Sequence, residues 1–207
     1  ARMQTYPIML MLQGRRVVLV GSGRVAGRKL DELLTCGAAV TVVAPTIDDA
    51  FDREGVTCIA SAYHAPCLDG ATLVFACTDD VELNAQIVSD ARERGILACA
   101  VDQPADCDFF SPATVRDGEV ILAVGTGGAA PGLARRLREE LTGAMPDRIG
   151  EFAEALQACR TIVLDRVLDA ARRKTILTTL AGQEMYEQFL TAGPDVIYAE
   201  LDRLLLE

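Results

Sequence analysis

Arg16-Val17-Val18-Leu19-Val20-Gly21-Ser22-Gly23-Arg24-Val25-Ala26-Gly27 is the stretch that decides the fold. A short apolar run rich in β-branched residues ends at a glycine, and Val25, Leu30, Leu33 and Leu34 then recur at helical spacing until Gly37. The order is strand, tight turn, helix. Within the turn, G-x-G-x-x-A has a physical logic: Gly21 permits the sharp bend, Gly23 lets a ligand's pyrophosphate approach the backbone, and Ala26 allows close helix–sheet contact. The N-terminus of such a helix offers free amide N–H groups and about half a positive charge. A glycine-punctuated turn that binds nothing has the same spacing, so the surrounding elements have to decide between the two.

Those elements alternate. Ala39–Ala44 reads as a second strand closed by Pro45, and Val56–Ala60 as a weak third. Residues 71–77 form a strand apolar on both faces, Glu82–Arg94 a helix ended by Gly95, and Ile96–Val101 another buried strand. Continuous apolar strands separated by helices predict a parallel sheet covered on both sides, an α/β fold, which favours the ligand-binding reading of the glycine turn. After residue 102 the pattern changes. Gln103-Pro104-Ala105-Asp106 and Ser111-Pro112 are turn-rich, Glu119–Val124 reads as one strand, and Gly125-Thr126-Gly127-Gly128 leads into a basic helix over 132–141 with Pro131 at its first turn. Beyond Asp147, Ile149, Phe152, Leu156, Val163 and Val167 keep helical spacing, and two shorter helices are expected near 183–190 and 195–206.

Composition narrows the function classes. The 207 residues are 50% hydrophobic with a formal charge of -10, which disfavours general affinity for nucleic-acid backbones or anionic lipid. The bases are unevenly placed: Arg2, Arg15, Arg16, Arg24, Arg28 and Lys29 all precede the first acid, Asp31, which suggests a local anion site. Arg15 and Arg16 are read as solvated, and Arg24, Arg28 and Lys29 as one wall of a ligand cleft. Seven cysteines without a C-x-x-C pair suit reduced, cytoplasmic thiols. The apolar run 7–12 is too short for a membrane span and too soon followed by arginines to read as a signal peptide.

The carboxyl ends of the strands hold the candidate chemistry, because ligands of open α/β sheets bind there. The acid that commonly holds an NAD ribose is absent around Val43-Ala44-Pro45-Thr46; Thr46 and backbone groups near Pro45 are the substitutes, with Asp48 or Asp49 weaker alternatives. Thr78-Asp79-Asp80 follows a strand and is equally readable as a helix cap. Asp102 ends an apolar strand and could be a proton acceptor, a metal ligand or a turn residue before Pro104. Gly125–Gly128 could be an anion nest or a hinge. Arg135, Arg136 and Arg138 lie on the following helix but cannot share one face. His64, the one histidine, reads as a surface loop residue, and the cysteines lack zinc spacing, so no metal site is expected.

Taken together, the segments Tyr6-Pro7, GSGRVAGRK (21–29), ACTDD (76–80), VDQP (101–104), FFSPA (109–113) and GTGGAAPGLARRLREEL (125–141) resemble the precorrin-2 dehydrogenase family, the dehydrogenase part of sirohaem synthase, over about residues 5–145. The first motif alone is weak; in order and together they are specific. The resemblance implies a Rossmann-like NAD-binding domain over 1–112, a small strand-helix dimerisation and substrate element over 113–146, and a helical C-terminal domain over 147–207. It further implies a homodimer that oxidises precorrin-2 to sirohydrochlorin with NAD in sirohaem biosynthesis. Carried over to this chain, Gly21, Ser22, Gly23, Arg24 and Val25 would hold the pyrophosphate, Pro45 and Thr46 the adenosine ribose, and Thr78 would flank the nicotinamide. Asp102 is the catalytic candidate. The family has no fixed acid after its second strand, which agrees with the gap noted above.

Precorrin-2 carries carboxylates that arginine pairs bidentately, so Arg28, Lys29, Thr126, Gly127, Gly128 and Arg135 are the substrate candidates. Three departures from the family pattern, Cys99 for asparagine, Gly125 for serine and Ala129-Ala130 for polar residues, remove side-chain donors from the expected tetrapyrrole pocket. Two alternatives stay open on the sequence: a bifunctional dehydrogenase and ferrochelatase, and an NAD-sensing module that signals through the helical tail.

Overall fold

A computed structural model of the chain describes residues 5–101 and 103–206. Contacts divide these into two compact units, one ending at Ser111 and the other beginning at Pro112.

The first unit is a five-stranded, wholly parallel sheet in the order β3-β2-β1-β4-β5. Its strands are β1 (Arg16–Val20), β2 (Ala39–Ala44), β3 (Val56–Ala60), β4 (Leu73–Ala76) and β5 (Leu97–Ala100), with α1 (Arg24–Thr35) and α2 (Val81–Glu93) between them. Residues alternate between two cores, as a two-sided sheet requires. Val17, Leu19, Val40, Val42 and Phe75 pack with Leu30 and Leu33 of α1, while Val18, Val20, Val74, Ala76 and Ala98 pack with Ile87, Val88 and Ala91 of α2. The sequence is apolar on consecutive strand positions because both faces are covered. The glycine turn joins β1 to α1, and the order of strands reverses between β1 and β4, which opens a crevice at their carboxyl ends.

Arg16 departs from the solvated reading. It is the first residue of β1, and its guanidinium donates to the carbonyls of Cys67 (2.9 Å) and Asp69 and to Thr41 Oγ1 (3.2 Å). A rigid fork of five donors can satisfy several loop carbonyls at once, so this arginine ties the β3–β4 connection to the amino edge of the sheet, away from the glycine turn.

The second unit opens with an antiparallel hairpin, β6 (Ala113–Asp117) and β7 (Val120–Val124), where the sequence predicted a single strand. The missed strand, Ala-Thr-Val-Arg-Asp, largely alternates apolar and polar residues, and the two-residue loop Gly118-Glu119 between the paired Asp117 and Val120 supplies the tight turn, with Gly118 at φ 54°. Helix α3 (Pro131–Gly143) packs on both strands. The remaining helices are α4 (Ile149–Arg166), α5 (Ala170–Leu180), α6 (Gln183–Ala192) and α7 (Asp195–Leu206). They enclose Phe152, Cys159, Val163, Ile176, Leu180, Phe189, Ile197 and Leu201. Helix α5 has no counterpart in the sequence reading because only Ile176 and Leu180 of its residues are buried, too few to set a helical period; its start is marked by Asp169, which accepts from the Arg172 amide at 2.6 Å. Among the described residues no helix is long and apolar enough to cross a membrane.

Candidate functional site at the carboxyl edge of the sheet

Gly21 leaves β1 at φ +108°, a region open to glycine and strained for other residues, and its amide donates to the Val43 carbonyl at 2.9 Å. Gly23 is the N-cap of α1 with no side-chain cap, so the first amides of the helix remain available to a ligand. A Cβ on Gly23 would meet open space, which leaves that approach clear. Ser22 Oγ donates to the Thr46 carbonyl at 2.7 Å, pinning the glycine turn to the loop after β2. Val25 is half-buried, and Arg24 and Arg28, one helical turn apart, are exposed with no ion-pair partner among the described residues.

Beside this turn lies an apolar hollow of about 100 Å³ lined by Val20, Gly21, Val43, Ala44, Pro45, Ala62, Tyr63, Thr78 and Leu83. A cleft that encloses a whole drug-sized ligand is roughly 300–1,000 Å³, so the hollow suits one ring of a dinucleotide, with charged groups left outside near the α1 terminus. Pro45 and Thr46 are exposed at its rim. Asp48 is not free for a ribose, since its carboxylate caps the Ala50 amide at 2.8 Å. Asp80 takes the capping reading as well: it accepts from the Glu82 and Leu83 amides at 3.0 Å each and starts α2. The residues present therefore fit a dinucleotide: backbone donors, a close-approach glycine and an apolar ring site, with no carboxylate at the end of β2 to repel a phosphate.

Three lining residues are missing from the sequence reading: Ala62, Tyr63 and Leu83. Tyr63 donates its hydroxyl to Asp90 at 2.8 Å, and burial together with this carboxylate pushes its ionisation well above the usual tyrosine range. Asn84 is also new. It is 2% exposed, and its amide meets Thr78 at three atoms. Its one signal in the sequence is a polar residue on the buried face of α2, in line with Ile87, Val88 and Ala91.

Lys29 turns inward from α1. Its ammonium pairs with Glu32 at 2.6 Å and lies 6.0 Å from the centroid of Phe75, which in turn stacks edge-on against Phe109. Nearby, burial pushes the Cys77 thiol up to about 12 against the opposing charge of Lys29, and burial followed by Cys107 raises Cys99. The Cys99 and Cys107 sulfurs are 3.4 Å apart. Asp102 lies outside the described residues. Its neighbour Gln103 carries a buried Oε1 that no donor reaches. His64 is exposed, with its ring nitrogens 3.4 and 3.6 Å from Cys67 Sγ. No group of three or more His, Cys, Asp or Glu among the described residues is placed to hold a metal ion.

The remaining candidates belong to the second unit. Gly127 and Gly128 have φ of 60° and 77°, and the Thr126 hydroxyl accepts from the Ala130 amide at 3.2 Å, which closes the loop at the start of α3. Arg135 and Arg136 pair with Glu139 and Glu140 one turn on, and Arg138 with Glu139, all on the solvent side.

Comparison with known proteins agrees with this geometry. Residues 8–113 match a family model described as "Putative NAD(P)-binding". The chain is 39% identical over 83% of its length to a siroheme synthase of Gluconacetobacter diazotrophicus, and 35% identical over 99% of its length to one of Pseudomonas fluorescens. It spans 38% and 44% of those two proteins. Among solved structures, SirC, a precorrin-2 dehydrogenase, superposes with a TM-score of 0.79 at 25% identity, covering 96% of this chain and 100% of that one.

Proposed function

The chain belongs to the NAD(P)-binding family that its residues 8–113 match, and from that premise we propose that it oxidises precorrin-2 to sirohydrochlorin in siroheme biosynthesis, with NAD as cofactor. The observation that carries this reading is the Gly21–Gly23 turn, with its uncapped α1 terminus, opening beside an apolar hollow where the strand order reverses. The relatives at full or near-full coverage of this chain supply the substrate: siroheme synthases by sequence and a precorrin-2 dehydrogenase by structure.

The proposed roles follow from position. Bound NAD supplies the hydride acceptor. The amides of Gly21–Val25 and the Arg24 side chain hold its pyrophosphate, Pro45 and Thr46 border its ribose, and Thr78 flanks the nicotinamide end. Asp102 takes the proton that accompanies loss of a hydride from a reduced carbon of the tetrapyrrole. Arg28, Lys29, Thr126, Gly127, Gly128 and Arg135 recognise substrate carboxylates, by guanidinium or ammonium pairing and by backbone donors. The domains proposed are 1–112 for the cofactor, 113–146 for dimerisation and substrate, and 147–207 as a helical domain, in a cytoplasmic homodimer.

The test is an anaerobic assay with precorrin-2 and NAD or NADP, following reduced nicotinamide by absorbance. The expected result is stoichiometric reduced cofactor and sirohydrochlorin. No oxidation with either cofactor overturns the proposal. Adding ferrous or cobaltous ion afterwards reads out chelation separately.

A further inference from the structure

We infer that Asn84 is a positioning residue for the dinucleotide, acting through Thr78. This rests on the proposed cofactor site and extends it to a residue that touches no ligand. Asn84 sits on the buried face of α2 at 2% exposure. Its Oδ1 accepts from the Thr78 hydroxyl at 2.7 Å and from the Thr78 amide at 3.3 Å, and its Nδ2 donates to the Thr78 carbonyl at 2.9 Å. These three contacts admit one orientation of the amide, because a flipped group would set N–H against N–H. A buried polar side chain retained with all of its bonds spent on one residue specifies where that residue stands.

Thr78 is where the position matters. It lines the hollow at the end of β4, and its peptide is the surface against which the glycine turn closes: a Cβ on Gly21 would lie 2.6 Å from the Cys77 oxygen and 3.3 Å from the Thr78 nitrogen. A shift of the 77–78 peptide therefore moves the wall of the phosphate turn and the rim of the ring site together.

The hydrogen-bond inventory also fixes what Thr78 offers. A hydroxyl has one proton and two lone pairs. Here the proton is shared between Asn84 Oδ1 at 2.7 Å, the shorter contact, and the Asp80 carbonyl at 3.1 Å, and one lone pair accepts from the Asp80 amide at 3.2 Å. One lone pair is left. Thr78 is thus an acceptor toward the cofactor, matched to a ribose hydroxyl or the carboxamide N–H and mismatched to a phosphate oxygen.

The experiment is calorimetric titration of NAD into the wild type, Asn84→Ala, Thr78→Val and the double variant, with the melting temperature of each measured without ligand. Each single change is expected to weaken NAD binding about tenfold, and the double variant no more than the weaker-binding single. At saturating NAD, the KM of Asn84→Ala for precorrin-2 stays at the wild-type value. Titration with 3-acetylpyridine adenine dinucleotide, which lacks the carboxamide N–H, separates the two donors: Thr78→Val loses affinity for this analogue if the donor is a ribose hydroxyl and does not if it is the carboxamide. Should Asn84→Ala fail to fold, Thr78→Ser and Asn84→Asp replace it; serine keeps NAD affinity, and aspartate, which cannot donate to the Thr78 carbonyl, loses it. Wild-type affinity in a folded Asn84→Ala or Asn84→Asp, or losses that add in the double variant, overturns the inference. A wild type that binds no dinucleotide overturns the cofactor assignment and this inference with it.

Discussion

Gly21 and Cys77 are in contact that no side chain could survive: a Cβ at residue 21 would stand 2.6 Å from the Cys77 carbonyl oxygen, and the backbone there has φ +108°. Both constraints act on backbone, which cannot swing aside as a long side chain can. Gly21→Ala is expected to lose roughly 1–3 kcal/mol of stability and, in whatever fraction folds, to bind NAD poorly because the turn is displaced. Denaturant unfolding and NAD titration measure the two effects. Gly23→Ala is the control, since its Cβ would meet open space at an extended φ of -79°; unchanged stability there with weakened NAD binding would locate the close approach of the pyrophosphate.

Asp102→Ala separates enzyme from sensor. Turnover of precorrin-2 should fall by 100-fold or more, about the range set by loss of a positioned proton acceptor, while NAD affinity stays within about twofold. Normal turnover in the variant would remove Asp102 from the mechanism. Full loss of NAD binding would make it a structural or cofactor residue instead.

The arginines near the start of the chain should divide by role. Arg24, exposed on the first turn of α1, is expected to contribute about threefold to NAD affinity, less at high salt because the interaction is screened. Arg16→Gln should leave that affinity alone and lower the melting temperature, as it strips donors from the Cys67 and Asp69 carbonyls. Salt-dependent titration and thermal unfolding of the two variants check the division.

What the sequence made legible follows the strength of the local physics. The β1 turn and α1 were readable because glycines at fixed offsets have few other uses, and the parallel sheet because its strands are apolar on both faces. Strand β6 was not, since its half-polar alternation gains meaning only opposite β7, and α5 was not, with two buried residues in eleven. Arg16 misled because a charge at a strand's first position looks solvated until the carbonyls of a distant loop are brought to it. Asn84 shows the same limit: a polar residue on an apolar helix face announces a buried bond, but its partner is set by where α2 meets the end of β4.

In the second unit, the turn of the hairpin meets the start of α4. The Gly150 amide donates to Asp117 Oδ2 at 2.8 Å, and a Cβ on Gly150 would lie 2.6–2.8 Å from Asp117 atoms that include its backbone carbonyl. Gly150→Ala is expected to cost about 2 kcal/mol by overpacking, and Asp117→Ala about 1 kcal/mol by loss of an anionic acceptor in the first turn of a helix. Both should lower the melting temperature and leave NAD affinity unchanged, since the residues proposed to hold the cofactor all belong to the first unit. A binding defect in either variant would tie the hairpin to the cofactor site.

The Cys77 thiol gives a pH dependence whose sign is fixed. Its pKa rises from about 8.5 in the unfolded chain to about 12 in the fold, because burial outweighs the nearby Lys29 charge. The folded state thus holds this proton more tightly than the unfolded state. The stability linked to it is complete below about pH 8.5, where both forms are protonated, and is lost as the pH rises toward 12. Chemical unfolding between pH 8 and 11 should show a falling free energy for the wild type and a flatter profile for Cys77→Ala, although the variant starts lower from the lost packing. Alkylation at pH 8 reports the same proton: exposed Cys58 should be labelled by iodoacetamide while Cys77 and Cys99 stay unmodified until the chain unfolds. Equal labelling of Cys58 and Cys77 in the folded protein would show that the sheet edge beside Lys29 opens to solvent, and the pH profile of Cys77→Ala would then match the wild type.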